Sequence, residues 1–399
     1  MSRRRRKRLG RTLTGLALLA AACACAGIAV ADPDDFSTSE RTPGGVAARG
    51  ATRLGRDPAS SSTPSRRSNI YAHTLPGLLT PVTRRARYLV YVPDSQGSGV
   101  YVIDPHRYRV IRYFQTGALV QHVVPAWDLR TLYATNDIGN SLTPIDPVTG
   151  RRAGPNIPVA DPYNMYFTPD GAHAIVVEEA QRKLAFRDPH TFAIQKTLHV
   201  GCSGIDHMDF SADGSFALAS CEFSGQMVQI NLRTEAAERY LDVGGSPQDV
   251  KLSPDGRTFY VANRFLPSLG ASGVQLIDAH SLRVVRFIRT PLDAHGLYVS
   301  RNTRNLYVTS RAGGAVTVIG FARRRVIARW LIAGTPDMGG VSPDGKILWL
   351  AGRYSASVYA ISTRNGRVIA SIPVGVSPHG LCVWPQPGRY SLGHTGVMR

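Results

Sequence analysis

Seven dipeptides spaced 42 to 47 residues apart hold most of the side chains that could do chemistry. They read Gln121-His122, Tyr163-Asn164, Asp206-His207, Gln248-Asp249, His295-Gly296, Asp337-Met338 and His379-Gly380. Four imidazoles and three carboxylates, if brought together, could hold a divalent metal ion or pass a proton. In that reading Asp206, His207, His295, Asp337 and His379 are the metal ligands. The same polar residues would also line a water-filled channel without holding anything. No CxxC or HxxxH spacing supports a metal, so this reading depends on what the fold brings together.

A second set of charges lies about sixteen residues after each of the first six dipeptides. Asp137, Glu179 and Glu222 come first, then Arg264, Arg311 and Arg353. Facing one another, they would make an opening acidic on one side and basic on the other. Such an opening suits a small ligand with a carboxylate or phosphate end, gripped by arginine forks. Solvated loop charges are the plainer alternative. The adjacent pair Glu178-Glu179 is a poor acid–base couple, because neighbours on a strand point to opposite faces. The chain has no GxSxG, no phosphate-binding P-loop, no GxGxxG and no CxxCH, so covalently attached haem is not expected.

These residues are positioned by a repeat. "FTPDGAHAIVVEE", "FSADGSFALASCE", "LSPDGRTFYVANR", "VSRNTRNLYVTSR" and "VSPDGKILWLAGR" align with "PAWDLRTLYATND". Their anchors are Asp128, Asp170, Asp213, Asp255, Asn302 and Asp344. Each phrase reads as a tight turn and a strand, followed by a third and a fourth short strand. Four strands per period of about 42 residues indicate a β-propeller blade. Six blades begin within the chain. A seventh is split: 87–117 supplies three strands without a first, and "PHGLCVWPQPGRY", 378–390, supplies a first strand with no blade after it. The expected fold is therefore all-β, a seven-bladed propeller over 86–390 closed by the C-terminal strand, which leaves no open edge. In that geometry the "PDG" turns lie at the bottom, and both sets of candidate residues lie at the top of the central channel. "FLPSLGAS", 265–272, lengthens one top loop and could cover the opening.

The phrase "SPDGRTFYVANR" and its copies resemble the YVTN-type repeat of bacterial seven-bladed propellers, a group with exported YncE-like proteins, surface-layer repeat proteins and lactonase-like relatives. The resemblance covers about 87–390. It implies the fold, but several activities share that fold. The "WD" at 127–128 is a turn position and does not indicate a WD40 protein.

The chain ends read differently. Residues 1–31 carry seven basic side chains and no acid, then an apolar run and "AVA" before Asp32, as a cleaved export signal does. Retention of that run as an anchor and lipidation at Cys23 are the alternatives. The Ser/Thr/Pro/Arg-rich stretch 32–85 shows no apolar period and is expected to be a disordered linker. Residues 391–399 are expected to be a tail. Cys202 and Cys221 fall at the top of one blade and could pair in an oxidising compartment. Cys382 is expected to be a lone buried thiol.

The net charge of +19 is mostly arginine, with no basic-aromatic motif beside it, so a nucleic-acid partner is not expected. The expectation is a secreted or cell-envelope monomer that binds a small anionic ligand or a protein partner at the top opening, without catalysis. It touches a membrane only through its signal or a lipid anchor, and no cofactor beyond a divalent metal is implied. The rival is a lactonase- or lyase-like enzyme with His207, His295 and His379 as bases.

Overall fold

A computed structural model describes residues 69–399, and they form seven β-sheets arranged as blades around one axis. The innermost strands of blades two to seven are Val120–Pro125, Pro162–Phe167, Ile205–Phe210, Pro247–Leu252, Ala294–Val299 and Pro336–Val341. Each runs from the top of the channel to the bottom and is followed outward by three antiparallel strands. Blade two departs slightly, its outer edge being split into Arg151–Arg152 and Ile157–Pro158.

Blade one joins the two ends of the repeat. Cys382–Trp384 pairs with Leu89–Asp94 in the register Leu89↔Trp384, Val90↔Val383 and Tyr91↔Cys382. This clasp satisfies backbone groups that would otherwise lie at an open edge. It also touches the next blade, where the Gly380 N–H donates to the Gln121 carbonyl at 2.9 Å.

The repeated turn shows why its residues recur. In "SPDG" of blade five, Ser253 Oγ donates to Asp255 Oδ1 at 2.6 Å, and the Thr258 N–H donates back to Ser253 Oγ at 2.9 Å. Gly256 takes φ +70°, which a side chain rarely adopts, and a Cβ there would come within 2.7 Å of Ala212 Cβ. The second strands behind these turns are buried along nearly their whole length, because both faces meet neighbouring blades. Outer strands alternate instead, as in Arg325–Leu331. The core is accordingly a set of apolar layers between adjacent blades, such as Tyr166, Phe186, Phe210 and Val228 between blades three and four.

Two boundaries differ from the sequence expectation. Residues 69–85 are part of the folded body, a strap across the bottom face. Asn69 Nδ2 donates to Thr303 Oγ1 at 2.9 Å, the Ile70 N–H to the Pro254 carbonyl at 3.0 Å, and Tyr71 Oη to the Leu252 carbonyl at 2.8 Å. A strap needs a few anchoring contacts and no repeating apolar period, so composition hid it. The remaining stretch of the expected linker and the expected signal, residues 1–68, lie outside the described residues.

Residues 391–399 are not a free tail. They fold into a hairpin bridged at Ser391↔Met398, buried except at Gly396, which is half-buried. The Phe167 N–H donates to the Leu392 carbonyl at 3.1 Å and the His394 N–H to the Met165 carbonyl at 2.8 Å. The hairpin thus lies along the innermost strand of blade three and plugs the channel from below. Gly393, at φ +96°, lets the backbones approach; a Cβ there would come within 2.5 Å of the Met165 carbonyl and Tyr166 Cα. Arg399 anchors the end, its Nη2 donating to Asp209 Oδ1 at 2.6 Å.

Candidate functional site

Five imidazoles meet in one buried cluster in the channel, three of them, His122, His207 and His295, carried by innermost strands and His379 by the segment leading into the closing strand. Ring centroids lie 4.9 Å apart for His122–His379, 5.7 Å for His122–His207, 6.4 Å for His207–His295 and 6.2 Å for His295–His379. The fifth is His394, raised from the C-terminal hairpin to 4.8 Å from His207 and 5.3 Å from His122. The imidazoles are packed together, not spread around a wide water-filled hole. Burial pushes His122 down to about 3, and holds His207, His379 and His394 well below the usual histidine range.

The expected five-ligand metal set is divided by the structure. One ring nitrogen each from His122, His207 and His394 lies within 4.8 Å of the others, and the same holds for ligand atoms of His295, Asp337 and His379. Asp206 belongs with the first group, its Oδ1 lying 3.1 Å from His207 Nε2. In the second group His295 Nδ1 lies 2.9 Å from Asp337 Oδ1, and His379 Nε2 lies 3.8 Å from Asp337 Oδ2. Both close contacts fall off the hydrogen-bonding direction. Among the described residues, His122 Nε2, His207 Nε2, His394 Nε2, His295 Nδ1 and both oxygens of Asp206 and Asp337 are therefore buried without a hydrogen-bond partner. Buried polar atoms without a protein partner are uncommon in folded chains, and here they gather around two neighbouring trios. Asp249, the third carboxylate of the sequence pattern, is committed elsewhere. It accepts from Lys251 Nζ at 2.7 Å and from the Leu297 N–H at 2.8 Å.

The rim above follows the acidic and basic halves of the sequence, joined by a residue the sequence reading missed. Arg264 donates from Nη1 to Glu222 and from Nε to Asp293, both at 2.7 Å. Arg311 donates from Nε to the other oxygen of Asp293 at 2.8 Å, and its Nη1 lies 3.6 Å from Asp337. Arg353 Nη1 lies 3.9 Å from Asp337, the farther guanidinium. Burial alone would raise Asp293, but the two guanidiniums outweigh it and hold its carboxyl below the usual range. Burial alone would likewise raise Asp337, yet His295 and Arg311 hold it well below. Arg264 and Arg311 are thus occupied by the protein's own carboxylates. Asp293 lies two residues before His295, in the loop leading into blade six; its place beside the dipeptide column was the available signal.

The other half has no such compensation. Burial pushes Glu179 up to about 8, helped by Glu222 and Asp137. Burial also pushes Asp137 up to about 6, although Gln121 Nε2 donates to it at 3.3 Å. Asp206 is raised well above the usual range by burial, then by Glu222 and Glu179. Tyr163 stands between these carboxylates and the imidazoles, its ring 5.3 Å from that of His122. The insertion 265–272 is an ordered extension of a hairpin, closed at Leu266↔Ala271 and tied to the rim through the Asp293 N–H, which donates to Ser272 Oγ at 2.9 Å. Cys202 and Cys221 are joined in a disulfide, Cα atoms 5.9 Å apart, beneath the loops leading to Asp206 and Glu222. Cys382 is a free buried thiol, raised by burial.

Comparison with known proteins agrees with this architecture. Over 178 residues the chain is 28% identical to antigen Lp49 of Leptospira interrogans, covering 40% of this chain and 39% of that protein. It therefore spans well under half the length of that curated relative. Among solved structures, hydrazine synthase of Kuenenia stuttgartiensis superposes with a TM-score of 0.56 at 22% identity, over 65% of this chain and 87% of that one. A functionally unknown protein from Desulfotomaculum acetoxidans superposes at 0.62 with 12% identity, over 75% and 99%. A dihydro-heme d1 dehydrogenase superposes at 0.56 with 16% identity, over 83% of each chain. At such identities these structures share the fold alone. The family model of YNCE-like beta-propellers matches residues 76–387, a span that runs from the strap to the closing strand; the chain belongs to the YNCE-like β-propeller family.

Proposed function

We propose that this chain is an exported binding protein that holds a small cationic ligand at the top of its channel. The observation that carries this reading is the uncompensated acidic side of the site. Asp137, Glu179 and Asp206 crowd together with raised affinity for protons, so a bound positive charge would be stabilised there. The opposite side favours the anionic ligand suggested by the sequence less, because Asp293, Glu222 and Asp337 already occupy Arg264 and Arg311, leaving only Arg353 of the three without a close carboxylate. Export rests on the leader-like residues 1–31. Calorimetric titration of the purified chain with divalent cations, an organic polyamine and small anions tests the proposal. Cation binding that tightens between pH 6 and pH 8.5, and loses that dependence in Glu179→Gln, is the expected result. Binding of anions alone would overturn it.

The enzymatic reading keeps one supporting observation. A carboxylate stands beside each of two imidazoles, Asp206 at 3.1 Å from His207 and Asp337 at 2.9 Å from His295, close enough to support a base once a substrate realigns the rings. A panel of lactones and small anionic substrates tests it: turnover abolished by His207→Ala or His295→Ala would favour this reading, and no turnover by the folded wild-type chain would remove it.

A further inference from the structure

We propose that His122, His207 and His394 bind a divalent transition-metal ion of the class that prefers imidazole, such as zinc, with Asp206 as the charge-balancing carboxylate. The inference rests on the reading of the chamber as a cation site and names its ligand. Four observations support this trio over its neighbour.

The first is tautomer. His122 Nδ1 lies 2.9 Å from the Tyr163 carbonyl, which can only accept, so Nδ1 carries the proton and Nε2 presents a lone pair. A carbonyl behind a histidine ring is a common support for a metal ligand. The second is that Nε2 of all three rings is fully buried and lacks a partner. Desolvated polar ring nitrogens without a partner are costly unless something occupies them.

The third is charge. Asp206 has both oxygens unpaired, with Glu179 and Glu222 contributing to the local negative potential. In the other trio, Asp337 is already flanked by Arg311 at 3.6 Å and Arg353 at 3.9 Å. A dication beside two guanidiniums would be repelled. The fourth is the origin of His394. The tip of the plugging hairpin, outside the repeat, brings its ring to 4.8 Å from that of His207 and 5.3 Å from that of His122, completing a trio that the blades alone do not supply.

Asn164 reads as the positioning residue. Its Nδ2 lies 3.1 Å from His207 Nδ1 and 2.9 Å from His394 Nδ1. An ion on Nε2 moves each ring proton to Nδ1, so the amide must then turn its oxygen to the rings and release the Met165 N–H it now accepts at 2.9 Å. The fourth coordination position is left for water or for a ligand arriving past Tyr163.

The test uses the full chain, stripped with a chelator and titrated with zinc alone and, separately, with spermidine. One zinc equivalent is expected. His394→Gln and His122→Gln should weaken it by about a hundredfold or more, and Asn164→Ala by about ten- to a hundredfold, whereas His379→Gln should change it less than about threefold. Spermidine binding with no zinc binding would overturn the metal and leave the cation reading standing; absence of both would overturn both. Equal loss in His379→Gln would move the ion to the other trio. Cobalt substitution of the wild-type chain decides the matter without variants: intense visible bands of a tetrahedral, nitrogen-rich site are expected, and an octahedral, oxygen-only spectrum would overturn the assignment.

Discussion

Asp293 receives the Nε–H of Arg311 on one carboxylate oxygen, at 2.8 Å, while its other oxygen holds Arg264. This one carboxylate turns two arginines from ligand-binding groups into parts of a closed ion network running from Glu222 to Asp337. Removing it should do two things at once. Asp293→Ala is expected to cost about 2–3 kcal/mol of stability, since a mostly buried Arg311 loses its main partner. It should also raise the affinity for small anions such as sulfate above that of the wild type. Denaturant unfolding and anion titration check the two effects; a stable variant with no anion binding would show that the network does not set ligand sign.

Glu179 should make the fold less stable as pH rises. Its folded pKa is raised to about 8 by burial, above the ordinary glutamate value. Between about pH 4.5 and 8 the folded state therefore binds the extra proton, and stability falls with increasing pH across that window. Glu179→Gln should remove this decline. The difference in melting temperature, variant minus wild type, is expected to grow by about 2 °C or more between pH 5 and pH 8.5.

The imidazoles act in the opposite direction. His122 is lowered to about 3 in the folded state, against an ordinary value near 6.5. Its contribution is fully present above pH 6.5 and is lost as pH falls toward 3, because the unfolded chain takes up the proton first. His122→Asn should flatten the acid limb of the stability–pH curve by about one proton, read from the slope of unfolding free energy between pH 4 and 6. An unchanged slope would mean that the ring is not buried as described.

Arg399 should be essential to the plug. It donates to Asp209 at 2.6 Å, and its guanidinium lies 4.5 Å above the centre of the Tyr71 ring, so it ties the hairpin to both the strap and blade four. Arg399→Ala leaves a fully buried aspartate without its cation and is expected to cost about 3–5 kcal/mol. Limited proteolysis should then clip the chain near residues 387–399 well before the blades.

The ring itself was legible because its signals are local and repeated. Six aligned turn-and-strand phrases, four of them with Asp and Gly at the same offsets, and an orphan strand near Leu381 facing an incomplete blade near Val90, leave few other arrangements. The dipeptide column was legible for the same reason, since the repeat registers each pair at the same depth. What was hidden has no period. His394 and Asp293 reach the site from non-repeating segments, and Tyr71 and Arg399 are single anchors. Ion pairing was hidden too: the sequence shows that Arg311 is basic, but only three-dimensional proximity shows that Asp293 has already neutralised it.

The plug from below gives the channel a kinetic character. The hairpin lies across the lower end, so whatever settles among the imidazoles meets the hairpin on one side and the top loops on the other. Departure from below would require the hairpin to lift from blade three and break the Phe167–Leu392 and His394–Met165 backbone hydrogen bonds, which would slow exchange on that side.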